Sequence, residues 1–95
     1  MKKKQDTLIV TLGRDPEANL GVVNPPVYHA STILFPTLKA LKERTQLLSY
    51  GRRGTPTVFA LQEAIAALEG GYRTLLCPSG LAAVTTALLA HVKTG

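Results

Sequence analysis

PTVFALQEAIAALEGGYRTLLCPSGLAAVTTALLAH, residues 56–91, contains the sharpest changes of pattern in the chain. From Val58, apolar residues recur as Val58, Leu61, Ile65 and Leu68, a spacing that places them on one stripe of a helix. Gln62, Glu63 and Glu69 fall off that stripe, Pro56 suits a first turn, and Gly70-Gly71 ends the element. Tyr72 to Cys77 then reads as a short, largely apolar strand. Pro78-Ser79-Gly80 breaks it, and Leu81 to His91 continues as a nearly all-apolar helix, a pattern expected to be buried on most sides. Helix, strand, tight loop and buried helix in that order are the opening of an α/β fold with a parallel sheet covered on both faces. One strand does not make a sheet, so the expected parallel sheet is incomplete within these residues.

Upstream the pattern weakens. Ser49 to Thr57 is a loop whose glycines permit tight backbone geometry. Thr37 is placed to cap a helix running to about Arg44, with Leu38 and Leu41 on one face. Residues 14–36 hold Pro16, Pro25, Pro26 and Pro36 with little periodicity, which predicts an extended arm that needs something to lie on. Residues 5–13 suit a short helix, although Leu8, Val10 and Leu12 also permit a strand. The chain divides into an arm segment, 1–54, and the beginning of an α/β domain, 55–95.

Composition narrows the function classes. The 95 residues are 45% hydrophobic and 18% charged, which excludes disorder and is rich for a free-standing domain of this size. The net charge of +5 is concentrated in the Lys2-Lys3-Lys4 tail and in Arg44, Arg52 and Arg53. With three tyrosines, two phenylalanines and no tryptophan, it forms no regular nucleic-acid-binding stripe. A single cysteine, Cys77, excludes an intrachain disulfide and a cysteine-built zinc site, and reads as a buried small hydrophobe. The run Leu8-Ile9-Val10 is too short for a signal-peptide core or a membrane span, so a soluble cytoplasmic protein is expected.

Two loops carry candidate chemistry. In Cys77-Pro-Ser-Gly-Leu-Ala82, a strand hands over to a helix whose free amides attract a phosphate. Gly80 allows close approach and Ser79 adds a hydroxyl; equally, Ser79 caps the helix and Gly80 makes the turn. In Tyr50-Gly-Arg-Arg-Gly-Thr-Pro-Thr57, two arginines and a tyrosine make a clamp for a doubly charged oxyanion, or an exposed basic turn. His29 and His91 lack ligand spacing, and no Ser-His-Asp set or carboxylate pair stands out.

Taken in order, residues 21–35 (GVVNPPVYHASTILF), 50–57 (YGRRGTPT), 68–71 (LEGG) and 78–84 (PSGLAAV) resemble the Cys/Met-metabolism enzymes that depend on pyridoxal 5'-phosphate (PLP). The resemblance is nearest to the cystathionine β-lyase branch, because Thr55 stands where the family commonly has asparagine and an Arg-Arg pair precedes it. It implies a fold-type I PLP-dependent transferase large domain and a homotetramer, with residues 1–54 forming an inter-subunit segment. It also implies cofactor-binding roles for Tyr50, Arg52, Ser79, Gly80 and Leu81. Gly80 and Leu81 give amides to the PLP phosphate, while Tyr50 and Arg52 reach the phosphate of a neighbouring subunit. Arg53 attracts the substrate's distal carboxylate. The implied reaction is β-elimination of cystathionine to homocysteine, pyruvate and ammonia, within transsulfuration and methionine biosynthesis. The family's catalytic lysine is expected beyond residue 95, since Lys39, Lys42 and Lys93 lack a matching context, which makes this an N-terminal part that is inactive alone. Two alternatives stay open: another branch (γ-synthase, γ-lyase or sulfhydrylase), or a small basic non-enzymatic protein that binds a partner through its arm and apolar helix.

Overall fold

A computed structural model describes residues 4–94; the Lys2-Lys3 part of the basic tail lies outside them. Four α-helices and one 3-10 turn follow one another: α1 (Gln5–Thr11), α2 (Leu38–Glu43), the turn Gly51–Arg53, α3 (Pro56–Glu69) and α4 (Gly80–His91). Helix rather than strand is the outcome at the N-terminus, with Asp6 in the first turn of α1 opposing the partial positive charge there. Helix α2 forms as its cap predicts, the Thr37 hydroxyl accepting from the Ala40 amide at 3.0 Å. Helix α3 starts two residues before Val58, with Pro56 at its first position. Gly70 ends it in the left-handed conformation, at φ 64°.

The expected strand at 72–77 does not form. Among the described residues there is no strand; one isolated antiparallel bridge, Thr32 with Tyr50, is the sum of the sheet-type pairing. A strand is defined by ladder hydrogen bonds to a partner, and residues 72–77 have none here, so their apolar, extended character stays unpaired. The parallel-sheet part of the α/β expectation is therefore not realised in these residues.

Nor is α4 enclosed. Leu81 is 78% exposed and Leu89 74%, and among the described residues the only helices that touch are α1 and α3. Cys77 is likewise half-exposed rather than buried, its thiol 3.9 Å from the Thr86 hydroxyl. No apolar side chain among the described residues is buried. The accessible surface is 8322 Å², against about 5,300 Å² for a compact monomer of this mass. The radius of gyration, 16.6 Å, exceeds the roughly 13 Å of a compact domain of similar length. The apolar richness of the sequence thus appears as open apolar surface, not as a core. No helix among the described residues is long and apolar enough to cross a membrane.

One contact between elements is a close approach of backbone. Gly13, at φ 80°, turns the chain after α1 so that a β-carbon there would lie 3.3 Å from the Ala60 carbonyl oxygen of α3. The arm is not extended throughout. The Asp15 carboxylate accepts from the Ala18 amide at 3.2 Å and starts a turn that closes at Gly21. Residues 25–30 then carry no regular structure, and Pro26 and Tyr28 lie against the start of α3.

Candidate functional site

The arm is fixed by Thr57, in the first turn of α3. Its hydroxyl donates to the Pro26 carbonyl at 2.7 Å and accepts from the Tyr28 amide at 2.9 Å. Pro25 and Pro26 have no amide protons of their own, so an outside hydroxyl is well suited to grip this stretch. A few residues on, the Gly51 amide donates to the Ser31 carbonyl at 2.6 Å, next to the Thr32–Tyr50 bridge. A β-carbon at Gly51 would overlap the Ala30 carbonyl, and one at Gly54 (φ 147°) would overlap the Phe59 ring. Both glycines of the Tyr50–Thr57 segment are therefore required by what lies against them. Thr55, 4% exposed, is the most enclosed side chain of the region.

This anchoring sets three of the basic and polar side chains apart from the fourth. Tyr50 and Arg53 line one cleft of 340 Å³ together with Phe35, Leu41, Arg44 and Ser49. Arg52 is exposed and lies outside that lining. Arg44 caps the end of α2 with a left-handed backbone, φ 51° and ψ 49°, a conformation that costs a non-glycine residue about 1 kcal/mol. Gln46 braces the same wall, its amide donating to the Leu34 carbonyl at 3.0 Å and the Leu48 carbonyl at 2.9 Å. Sequence reasoning grouped Arg44 with Arg52 and Arg53 by charge alone. Nothing in the chain's pattern signalled that Arg44 shares a cleft with Tyr50, because the fold that joins them depends on Gln46 and Ser31.

At the second loop, the Ser79 hydroxyl accepts from the Ala82 amide at 3.1 Å and caps α4. Capping uses the oxygen as acceptor and leaves the hydroxyl proton free to donate. Among the described residues, no hydrogen bond takes up the amides of Gly80 or Leu81, the first two of the helix. Gly80 is neither left-handed nor crowded: a β-carbon there would meet nothing within 4 Å. Capping and anion binding are thus compatible, and the turn itself does not require glycine at position 80. Two free amides, a helix N-terminus and a hydroxyl are a donor set suited to a phosphate. The structure does not bring the two loops together: Ser79, Gly80 and Leu81 are absent from the cleft of Tyr50 and Arg53, and α4 touches no other helix. Lys39 and Lys42 are exposed on α2, Lys93 is exposed beyond α4, and none lines the cleft. Among the described residues no cluster of metal-ligating side chains occurs.

Residues 6–95 match the family of Cys/Met metabolism PLP-dependent enzymes, and the chain belongs to that family, whose cofactor is pyridoxal phosphate. Over 90 residues it is 54% identical to a Rhizobium johnstonii protein assigned by name to the cystathionine β-lyases, covering 95% of this chain and 23% of that protein. It is 45% identical over 98 residues to the cystathionine β-lyase of Salmonella typhimurium, covering 98% of this chain and 25% of the enzyme. An L-alanine/L-glutamate racemase of Wolbachia pipientis is 40% identical over 106 residues, covering 97% of this chain and 26% of the racemase. A cystathionine γ-synthase is also among the relatives. The chain spans about a quarter of the length of the relatives it matches. The family match sets aside the reading of a small non-enzymatic interaction protein.

Proposed function

We propose that these residues form the arm and part of the phosphate cradle of a carbon–sulfur lyase that releases homocysteine, pyruvate and ammonia from cystathionine. The observation that carries the cradle is the pair of unused amides at Gly80 and Leu81 beside an uncrowded glycine. When bound, PLP serves as the electron sink for the carbanion generated on the amino acid. In this proposal the chain's own residues bind and orient. The Gly80 and Leu81 amides and the Ser79 hydroxyl donate to the phosphate oxygens, and Gly80 lets them come close. Arg53 attracts the substrate's distal carboxylate from the cleft wall.

Arg52 and Tyr50 complete the cradle from a second copy of the chain. Support for this comes from within one copy: the Arg52 loop and the Ser79 loop do not meet, and Arg52 is exposed on a segment held by Gly51 and Thr57. The exposed apolar surface of α4 and the arm agrees with extensive contacts to further structure, in a homo-oligomer such as a tetramer. The β-lyase branch is favoured over the γ-synthase and racemase relatives by the identity of 54% against 40% or below.

The test is made on the complete enzyme. Incubated with cystathionine, it is expected to form pyruvate and homocysteine in equal amounts, and Arg52→Ala is expected to lose bound cofactor absorbance on gel filtration. Loss of one charge-assisted hydrogen bond of about 2 kcal/mol corresponds to a roughly 30-fold weaker hold. Absence of pyruvate would remove the β-elimination assignment; full cofactor retention by Arg52→Ala would remove the arginine from the cradle.

A further inference from the structure

We infer that Arg44 is a specificity-determining residue, which together with Arg53 selects ligands bearing a second, distal carboxylate; this rests on the proposed lyase reading and extends it to a residue outside the resemblance. The open cleft of 340 Å³ is lined by both Arg44 and Arg53 together with Tyr50 and Ser49, and no carboxylate side chain lines it. Among the described residues neither arginine is engaged by an ion pair or a hydrogen bond that neutralises it. Two cationic residues along one cleft with no acidic partner favour an anion bound there. The cleft is open on one side, its volume is that of a small amino-acid ligand, and Phe35 and Leu41 give it an apolar wall, which suits the carbon chain of a dicarboxylic amino acid.

A second observation comes from the backbone. Arg44 occupies the left-handed position that ends α2, where glycine is the ordinary choice. A long charged side chain at such a place is disfavoured locally, so its presence calls for a use elsewhere. Close by in the chain, Gln46 ties the carbonyls of Leu34 and Leu48, and these residues adjoin the cleft-lining Phe35 and Ser49. The wall made by Phe35 and Ser49 is thus braced from within the chain.

The backbone supplies the decisive variant. Arg44→Gly removes the charge while favouring the left-handed turn, so it keeps or raises the melting temperature of the complete enzyme. It is expected to raise KM for cystathionine about tenfold, the effect of losing one exposed charge-assisted contact. KM for S-methylcysteine, which has no distal carboxylate, should stay unchanged, as should the absorbance of bound cofactor. Calorimetry with glutarate should show the same loss, with butyrate as the single-carboxylate control. Unaltered glutarate binding and KM in Arg44→Gly, with both weakened in Arg53→Ala, would overturn the role of Arg44 and leave that of Arg53. No effect from either variant would overturn the distal-carboxylate reading as a whole. Loss of cofactor in Arg44→Gly would overturn the inference by assigning the residue to the phosphate.

Discussion

The loop at residues 50–57 and the loop at residues 78–81 are both glycine-bearing entries to helices, yet their glycines face opposite surroundings. Gly51 and Gly54 are hemmed in by Ala30 and Phe59, whereas Gly80 has nothing within 4 Å of where a side chain would begin. In the first loop the glycines serve the chain's own folding. In the second, the absence of any internal reason turns attention outward, to a ligand approaching two unoccupied amides. A glycine that the fold does not need is the stronger pointer to a binding site.

That contrast breaks most readily at Gly51. Gly51→Ala drives a methyl group into a main-chain carbonyl, and the complete protein is expected to lose about 4 kcal/mol or more, or to fail to fold. Urea unfolding followed by circular dichroism measures this; a native midpoint would show that the first loop has unsuspected slack. Next in size is Thr57→Val, which removes both grips on the arm at near-constant shape and is expected to cost about 2 kcal/mol. Limited proteolysis should then cut residues 22–30 faster, and Thr57→Ser should restore resistance. Ser79→Ala deletes the cap of α4, with an expected loss of stability of about 1 kcal/mol, and with it the hydroxyl proposed to donate to the phosphate. The smallest effect on stability belongs to Gly80→Ala, within about 0.5 kcal/mol of the parent. The same variant should nonetheless release pyridoxal phosphate on dialysis. If it holds the cofactor as firmly as the parent, the outward-facing reading of the second loop is wrong.

The helices were legible because their determinants are local. Thr37 and Ser79 announce their caps, Pro56 and Gly70 bracket α3, and each was readable within a few residues. The strand at 72–77 was not legible in the same way. Apolar, extended residues state a willingness to pair, but pairing is a property of two segments, and these residues meet no second one. The burial of α4 failed for the same reason: an all-apolar sequence shows that a helix wants cover, not that cover is at hand. Of the candidate site, the loop residues were visible as motifs, and the capping role of Ser79 was foreseen as one of two readings. The grips of Thr57 on Pro26 and Tyr28, 31 and 29 residues away, left no trace in the sequence. A hydroxyl that caps a helix and one that clasps a distant arm are the same residue type in the same kind of place.

The clasp by Thr57 has a mechanical consequence. Because it seizes the arm at the point where α3 begins, a pull on residues 26–28 is not absorbed as slack along the chain. It is delivered to the first turn of α3. Residues 26–28 and the entry of that helix are therefore one joined surface for whatever lies over the arm.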